Sequence, residues 1–376
     1  MNWEGCKNIL CIRPDNMGDL IMSGPAIRAL KETFNAKITV LTSSMARGVI
    51  SHMPEIDDAI IFDLPWVKIN ETPDTAGFYK VIDTIKQRDF DAAVIFTVYS
   101  QNPLPTAMLV YLAGIPRVLA YCRENPYHLI TNWIPDKEPY DFIKHQVRRD
   151  LDLVASVGAF TKNEHLYLSS DENVWAQITD KLTALGVDTN KPWLIMHAGV
   201  SERKRQYPAK YWVKAAKELI AEGYQILFTG SNAEKQLTDE LQLQTGAGSF
   251  ACGGLFSLYK FIGLVKKAPV VVSVNTGTVH IATAVGTPVV VLYAQTNPQH
   301  TPWNVPNKVL PFAVPAPLRS KNEVINHVNK THYNSPVHIP QPEEIVSAVK
   351  SLVNQPVKPV QRFLEIPSEN QATAAS

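Results

Sequence analysis

A chain of 376 residues, 45% hydrophobic and 19% charged, is long for one core and suits two ordinary globular domains. The net charge of +1 excludes an overall charge that would drive nucleic-acid binding. Four cysteines without a C-x-x-C pair exclude a disulfide framework, no apolar run reaches the roughly 18 residues of a membrane span, and "MNWEGCKN" lacks a signal pattern, so a cytoplasmic protein with buried thiols is expected.

"NILCIR" reads as a strand and residues 20–33 as a helix. "KITVLTS" (37–43) and "AIIFD" (59–63) read as strands, 77–88 as a helix and "DAAVIFT" (91–97) as a strand. Residues 104–113 are helical in pattern, and "RVLAY" (117–121) is one more short strand. Such nearly continuous apolar strands between helices argue for a buried parallel sheet. A helix from about 144 to 157 stops at Gly158, and a second, 171–185, stops near Gly186.

The alternation then restarts. Strands are expected at 193–199, 225–231, 270–275 and 289–294, with helices at 209–222, 233–244, 256–268, 278–286 and 342–354. The chain is therefore α/β, with domains at 1–165 and 187–335, a last helix at 342–354 and a polar tail, 355–376, expected to be disordered. Two such sheets place a cleft between their C-terminal edges.

Four segments carry candidate chemistry. In "IRPDNMGDLIMSGPAIRALK", Gly18-Asp19 stands where the first strand meets the first helix, and the Asp19 carboxylate either caps that helix or does chemistry. In "NTGTVHIATAVGTPVVVLY", Asn275 ends a strand and Thr276-Gly277-Thr278 opens a helix containing His280. Amides at that helix start suit a phosphate, although a plain N-cap and a satisfied core histidine fit equally. In "HAGVSERKRQYP", Gly199 precedes Arg203, Lys204 and Arg205, a cluster for a diphosphate or a solvated charge run. In "FTGSNAEKQ", Glu234 opens a helix and either accepts ribose hydroxyls or favours the helix dipole. "GAGSFA" is not preceded by a strand, no Walker loop or H-E-x-x-H occurs, and the histidines lack metal-ligand spacing, so neither a cofactor nor a metal is expected. His327, His332 and His338 read as surface residues of a loop.

In this order the segments, together with "KHQVRRDLDLVASVGA", resemble glycosyltransferase family nine, the ADP-heptose:lipopolysaccharide heptosyltransferases, over about residues 8–354. The resemblance implies a GT-B fold: two Rossmann-like domains with parallel sheets facing a central cleft, the acceptor in 1–165 and the donor in 187–335. It also implies that the 342–354 helix packs back on the first domain. Asp19 matches the family's proposed general base for inverting sugar transfer. Gly18, Gly199, Asn275, Thr276, Gly277, Thr278 and His280 match the donor site, with Lys204 or Arg205 beside the diphosphate and Glu234 on the ribose. Two departures stand out. Asn275 replaces a frequent aspartate, and "RKRQYP" replaces Lys-x-Trp-Pro, with Arg205 in register and Lys204 its neighbour.

The implied partners are a nucleotide-sugar donor and a lipopolysaccharide-core or related glycolipid acceptor, reached by peripheral contact with the inner membrane face; no nucleic acid is expected. Arg123 and a helix face bearing Lys144, His145, Arg148 and Arg149 are candidate acceptor contacts. The alternative is that these cations pair with Asp150, Asp152 and Glu124 and only hold the helix. Two other functions compete: a non-catalytic sugar-nucleotide or glycolipid binder, supported by Asn275 alone, and another GT-B enzyme such as a sugar-nucleotide epimerase. An NAD oxidoreductase lacks its glycine fingerprint after a strand.

Overall fold

A computed structural model describes residues 3–67, 75–333 and 335–353; the tail expected to be disordered lies outside them. The first sheet contains β1 (Asn8–Arg13), β2 (Lys37–Thr42), β3 (Asp58–Ile61), β4 (Ala92–Ile95), β5 (Val118–Cys122) and β6 (Asn132–Pro135). Its strands are all parallel, in the order β3-β2-β1-β4-β5-β6. Central β1 is buried on both faces, with Ile9, Leu10, Cys11 and Ile12 all closed to solvent, which is why it reads as an unbroken apolar run. Helices α1 (Met17–Phe34), α2 (Thr75–Gln87), α3 (Leu104–Leu112) and α4 (Gln146–Ala155) cover this sheet.

After α5 (Val174–Ala184) the same plan recurs with β7 (Trp193–His197), α6 (Ala209–Ala221), β8 (Gln225–Gly230), α7 (Lys235–Thr245), β9 (Ser249–Gly253), α8 (Leu258–Lys267), β10 (Val271–Val274), α9 (Gly277–Ala284), β11 (Val289–Ala294), β12 (Asn307–Phe312), α10 (Glu323–Thr331) and α11 (Pro342–Val353). The order β12-β11-β10-β7-β8-β9 is the first sheet's order repeated. In each sheet the order reverses once, between β1 and β4 and between β7 and β10. Ligands of open α/β sheets bind outside the strand ends at such reversals. The two units meet there, α1 packing on α4 of its own unit and on α9 of the other. Two Rossmann-like units facing one cleft make the expected GT-B arrangement.

Several expectations need correction. The α11 helix does not return to the first unit; it packs on α6, β11 and β12. Its Ile345, Val349 and Leu352 enter the core that holds Leu194 and Trp212, Tyr207 donates its hydroxyl to the Pro340 carbonyl, and Lys350 pairs with Glu222 at 2.9 Å. The α5 helix packs on α8 and so sides with the second unit. Edge strands β6 and β12 were not legible because each carries a proline and open faces, and β9 because it starts in the glycine-rich "GAGSFA". The α10 helix is short and buries only Val328; His327 sits on it, its ring tilted against that of Tyr140. All four cysteines are buried and free. Among the described residues no helix is long and apolar enough to cross a membrane.

Candidate active site

A cavity of about 450 Å³ opens between the C-terminal ends of the two sheets. The first unit contributes Met17, Gly18 and Asp19 to its wall; the second contributes Gly199, Arg205, Glu234, Asn275, Thr276, Gly277, Thr278, His280 and His300.

Asp19 is in the first turn of α1, three residues after the cap residue Asn16, whose backbone N–H donates to Asp19 Oδ2 at 3.2 Å. It is therefore not the N-cap itself, and only one of its oxygens serves the helix. The other, Oδ1, accepts from Arg13 Nη2 at 3.1 Å and lies 3.6 Å from His300 Nε2. Arg13 leaves the end of β1 with 1% of its surface exposed, and its Nε lies 3.2 Å from Asp15 Oδ2. Burial opposes ionisation of Asp19, but the Arg13 guanidinium beside it holds the carboxyl below the usual carboxylate range. Asp15 goes the other way, burial pushing it up to about 6 despite the same arginine. Arg13, Asp15 and His300 are site residues that the sequence did not single out. Arg13 was visible only as the end of an apolar strand, and His300 lies in a segment without periodicity.

The facing wall begins at α9, whose cap residue Thr276 makes no side-chain hydrogen bond to the first turn. The Gly277 and Thr278 amides lack the partner that later turns supply, and both residues line the cavity with Thr276. His280 is buried one turn on, and burial lowers its pKa to about 4; that of His300 falls to about 3 for the same reason. Both rings are thus neutral near pH 7 and act as hydrogen-bonding groups rather than charges. Gly18 is a close-approach position: a Cβ there would come within 2.6 Å of His280 Cδ2. Gly199 is another, because a Cβ would overlap the Glu234 carboxylate at 2.0 Å. That carboxylate accepts from the Ser231 amide at 2.7 Å and hydroxyl at 2.8 Å, so capping already engages it.

Asn275 ties β10 to β11. Its Oδ1 accepts from the Ala294 amide at 3.2 Å, while its Nδ2 donates to the Ala294 carbonyl at 3.2 Å and to Thr296 Oγ1 at 3.1 Å. Arg205 Nη1 donates to the Asn275 carbonyl at 3.0 Å, which holds the guanidinium at the cavity wall. Lys204 is not in this wall: its ammonium pairs with Glu202 at 2.7 Å and lines a separate, smaller cavity.

The expected acceptor cations do not share one helix face. Lys144 and His145 precede α4, with His145 as its N-cap, accepting from the Val147 amide. Arg149 is 1% exposed and paired with Asp136 at 2.9 Å and Glu138 at 2.6 Å. Lys144 pairs with Asp152 at 2.6 Å, Arg148 pairs with Glu164, and Arg123 donates to the Tyr99 and Glu138 carbonyls. A helical face was the wrong frame because the helix starts two residues later, buried carboxylates claim Arg149, and partly exposed Asp152 and Glu164 pair with Lys144 and Arg148.

A family model for glycosyltransferase family 9 (heptosyltransferase) matches residues 78–332. Over 310 residues the chain is 24% identical to lipopolysaccharide heptosyltransferase 2 of Escherichia coli K12, covering 78% of this chain and 84% of that protein. Its fold is similar to that of a family 9 glycosyl transferase from Veillonella parvula, with a TM-score of 0.74, 16% identity and coverage of 94% and 98% of the two chains. It is also similar to E. coli ADP-heptose lps heptosyltransferase II, with a TM-score of 0.67, 20% identity and coverage of 92% and 98%. Asp19 precedes the span that the family model matches, so its place in the site rests on the geometry of the cleft.

Proposed function

Since the chain belongs to glycosyltransferase family 9, we propose that it transfers a heptose-type sugar, with inversion, from ADP-heptose to a hydroxyl of a lipopolysaccharide-core or related glycolipid. One observation carries this reading: an ionised, buried carboxylate and an open helix N-terminus from opposite units line the same cavity. The acceptor hydroxyl donates to Asp19, and its oxygen attacks the anomeric carbon. The bond from that carbon to the diphosphate oxygen breaks as the proton passes to Asp19. The departing diphosphate is met by the α9 amides, the Thr276 and Thr278 hydroxyls and Arg205. His280 and His300 donate or accept as neutral rings. Glu234 lies where a ribose could share its carboxylate.

An Asp19 held below the usual range by Arg13 is by itself a weak base. A diphosphate seated opposite raises its proton affinity, because a second anion nearby disfavours the charged carboxylate. Donor binding thereby brings the base toward its working range. The relatives named for lipopolysaccharide acceptors support a membrane-borne acceptor, which this protein would approach peripherally from the cytoplasm. The non-catalytic alternative loses its one support, since the Asn275 amide is engaged between two strands.

Thermal shift tests the donor class. ADP at 100 times its dissociation constant should stabilise the protein by about 2.7 kcal/mol, with a clear rise in Tm. No shift with ADP, UDP or GDP, with or without a sugar, would count against the transferase reading.

A further inference from the structure

The smaller cavity, of about 90 Å³, lies beside the cleft and is also built from both units. Ser100 comes from the loop after β4; Lys204, Arg205, Asn297, Arg319 and Ser320 come from the second unit. No carboxylate side chain is among its lining residues. Lys204 pairs with Glu202 just outside, so three cations meet one neighbouring acid and the cavity keeps a positive field. Arg319 Nε donates to the Val314 carbonyl at 3.2 Å, which sets the plane of its guanidinium. The hydroxyls of Ser100 and Ser320 add neutral hydrogen-bonding groups, while the Asn297 amide is engaged with Gln299 and His300.

We propose that this cavity is a subsite for one anionic group of the acceptor, a carboxylate or a phosphate. The proposal rests on the transferase reading for its placement. Arg205 and Thr296 line both cavities, so the subsite and the reaction cleft share a wall. An acceptor whose hydroxyl reaches Asp19 therefore needs to extend only across that wall to place an acidic group here. The cavity is far smaller than the cleft, which suits a single acidic group rather than a second nucleotide. Guanidinium groups recognise the planar carboxylate or the phosphate face by paired N–H donors, and a neutral sugar ring gains nothing comparable. The subsite would thus select acidic over neutral acceptors.

The test uses the whole chain, saturated with ADP, and inorganic phosphate as the probe, followed by phosphorus NMR line broadening. Wild-type protein should bind phosphate in the millimolar range with ADP in place. Arg319→Ala, a change at an exposed loop residue, should weaken phosphate about tenfold, the effect of losing one charged contact, and leave ADP affinity unchanged. Acetate titrated against the phosphate-loaded protein separates the two acids: displacement supports a carboxylate occupant, retention a phosphate. Equal phosphate affinity in wild type and Arg319→Ala, or no phosphate binding to the ADP-saturated protein, would overturn the subsite. Failure of ADP itself to bind would count against the donor reading instead. The comparison would then run on the free protein, because Arg319 lines only the smaller cavity.

Discussion

Asn275 shows how a single side chain can line the cavity and also join two strands. The family resemblance implied a donor contact there and a lost negative charge. In the fold its oxygen faces an N–H and its nitrogen faces a carbonyl and a hydroxyl, all near β11. A carboxylate fits the first, and the hydroxyl once it turns to donate, but not the carbonyl. Asn275→Asp should therefore lose about 1–3 kcal/mol of stability at neutral pH, because it sets an acid against the Ala294 carbonyl. Burial should raise the new carboxyl's pKa, so part of the loss should return as the pH falls and the group becomes a donor. Thermal unfolding at two pH values reads both effects; an unchanged Tm at neutral pH would show that the amide is not needed. Arg13 is the converse case. It looks like the polar end of a strand, yet it is fully buried and holds Asp15 and Asp19 together. Local pattern carries no sign of that, because the two acids reach it only after the chain has turned into α1.

The segment after β11 is the element whose importance exceeds its regularity. It belongs to the second unit but is anchored in the first. Gln299 is 0% exposed, accepts from the Tyr99 amide at 3.4 Å and donates to Glu138 Oε1 at 3.2 Å. Glu138 is held in turn by Arg149 at 2.6 Å. Beyond His300, the Thr301 carbonyl lies 2.8 Å from His145 Nε2, and Trp303 Nε1 donates to the Glu164 carbonyl at 2.8 Å. These anchors on both sides hold His300 against Asp19. Arg149 and His145, expected to touch an acceptor, thus act one step back, by fixing this crossing. Gln299→Ala should lower turnover about tenfold to a hundredfold through misplacement of His300, with ADP affinity unchanged, since the α9 wall is untouched. Steady-state kinetics beside calorimetry separates the two quantities. Turnover that stays at the wild-type value would reduce the anchor to a packing contact.

At the scale of the molecule, two copies of one strand order place their reversal points on opposite sides of a single cleft. The alternation of buried strands and helices made both units legible, since a strand buried on two faces needs an apolar run whatever its partner. The place of one cavity wall was legible as well: every residue expected at the donor except Lys204 lines the cavity. Contacts between units were not. Periodicity reports which face of an element is buried, not what buries it. The docking of α11 on α6 and the approach of His300 to Asp19 accordingly escaped a reading along the chain. In the proposed reaction the cleft's chemistry rests on Asp19 accepting a proton there. Asp19→Asn keeps the size of the side chain and removes that ability. Measured with an ADP-activated heptose and a glycolipid acceptor, the variant should bind ADP as wild type does and turn over about 100- to 10,000-fold more slowly. Turnover near the wild-type rate, with ADP affinity intact, would contradict Asp19 as the base and leave it a residue of the α1 cap.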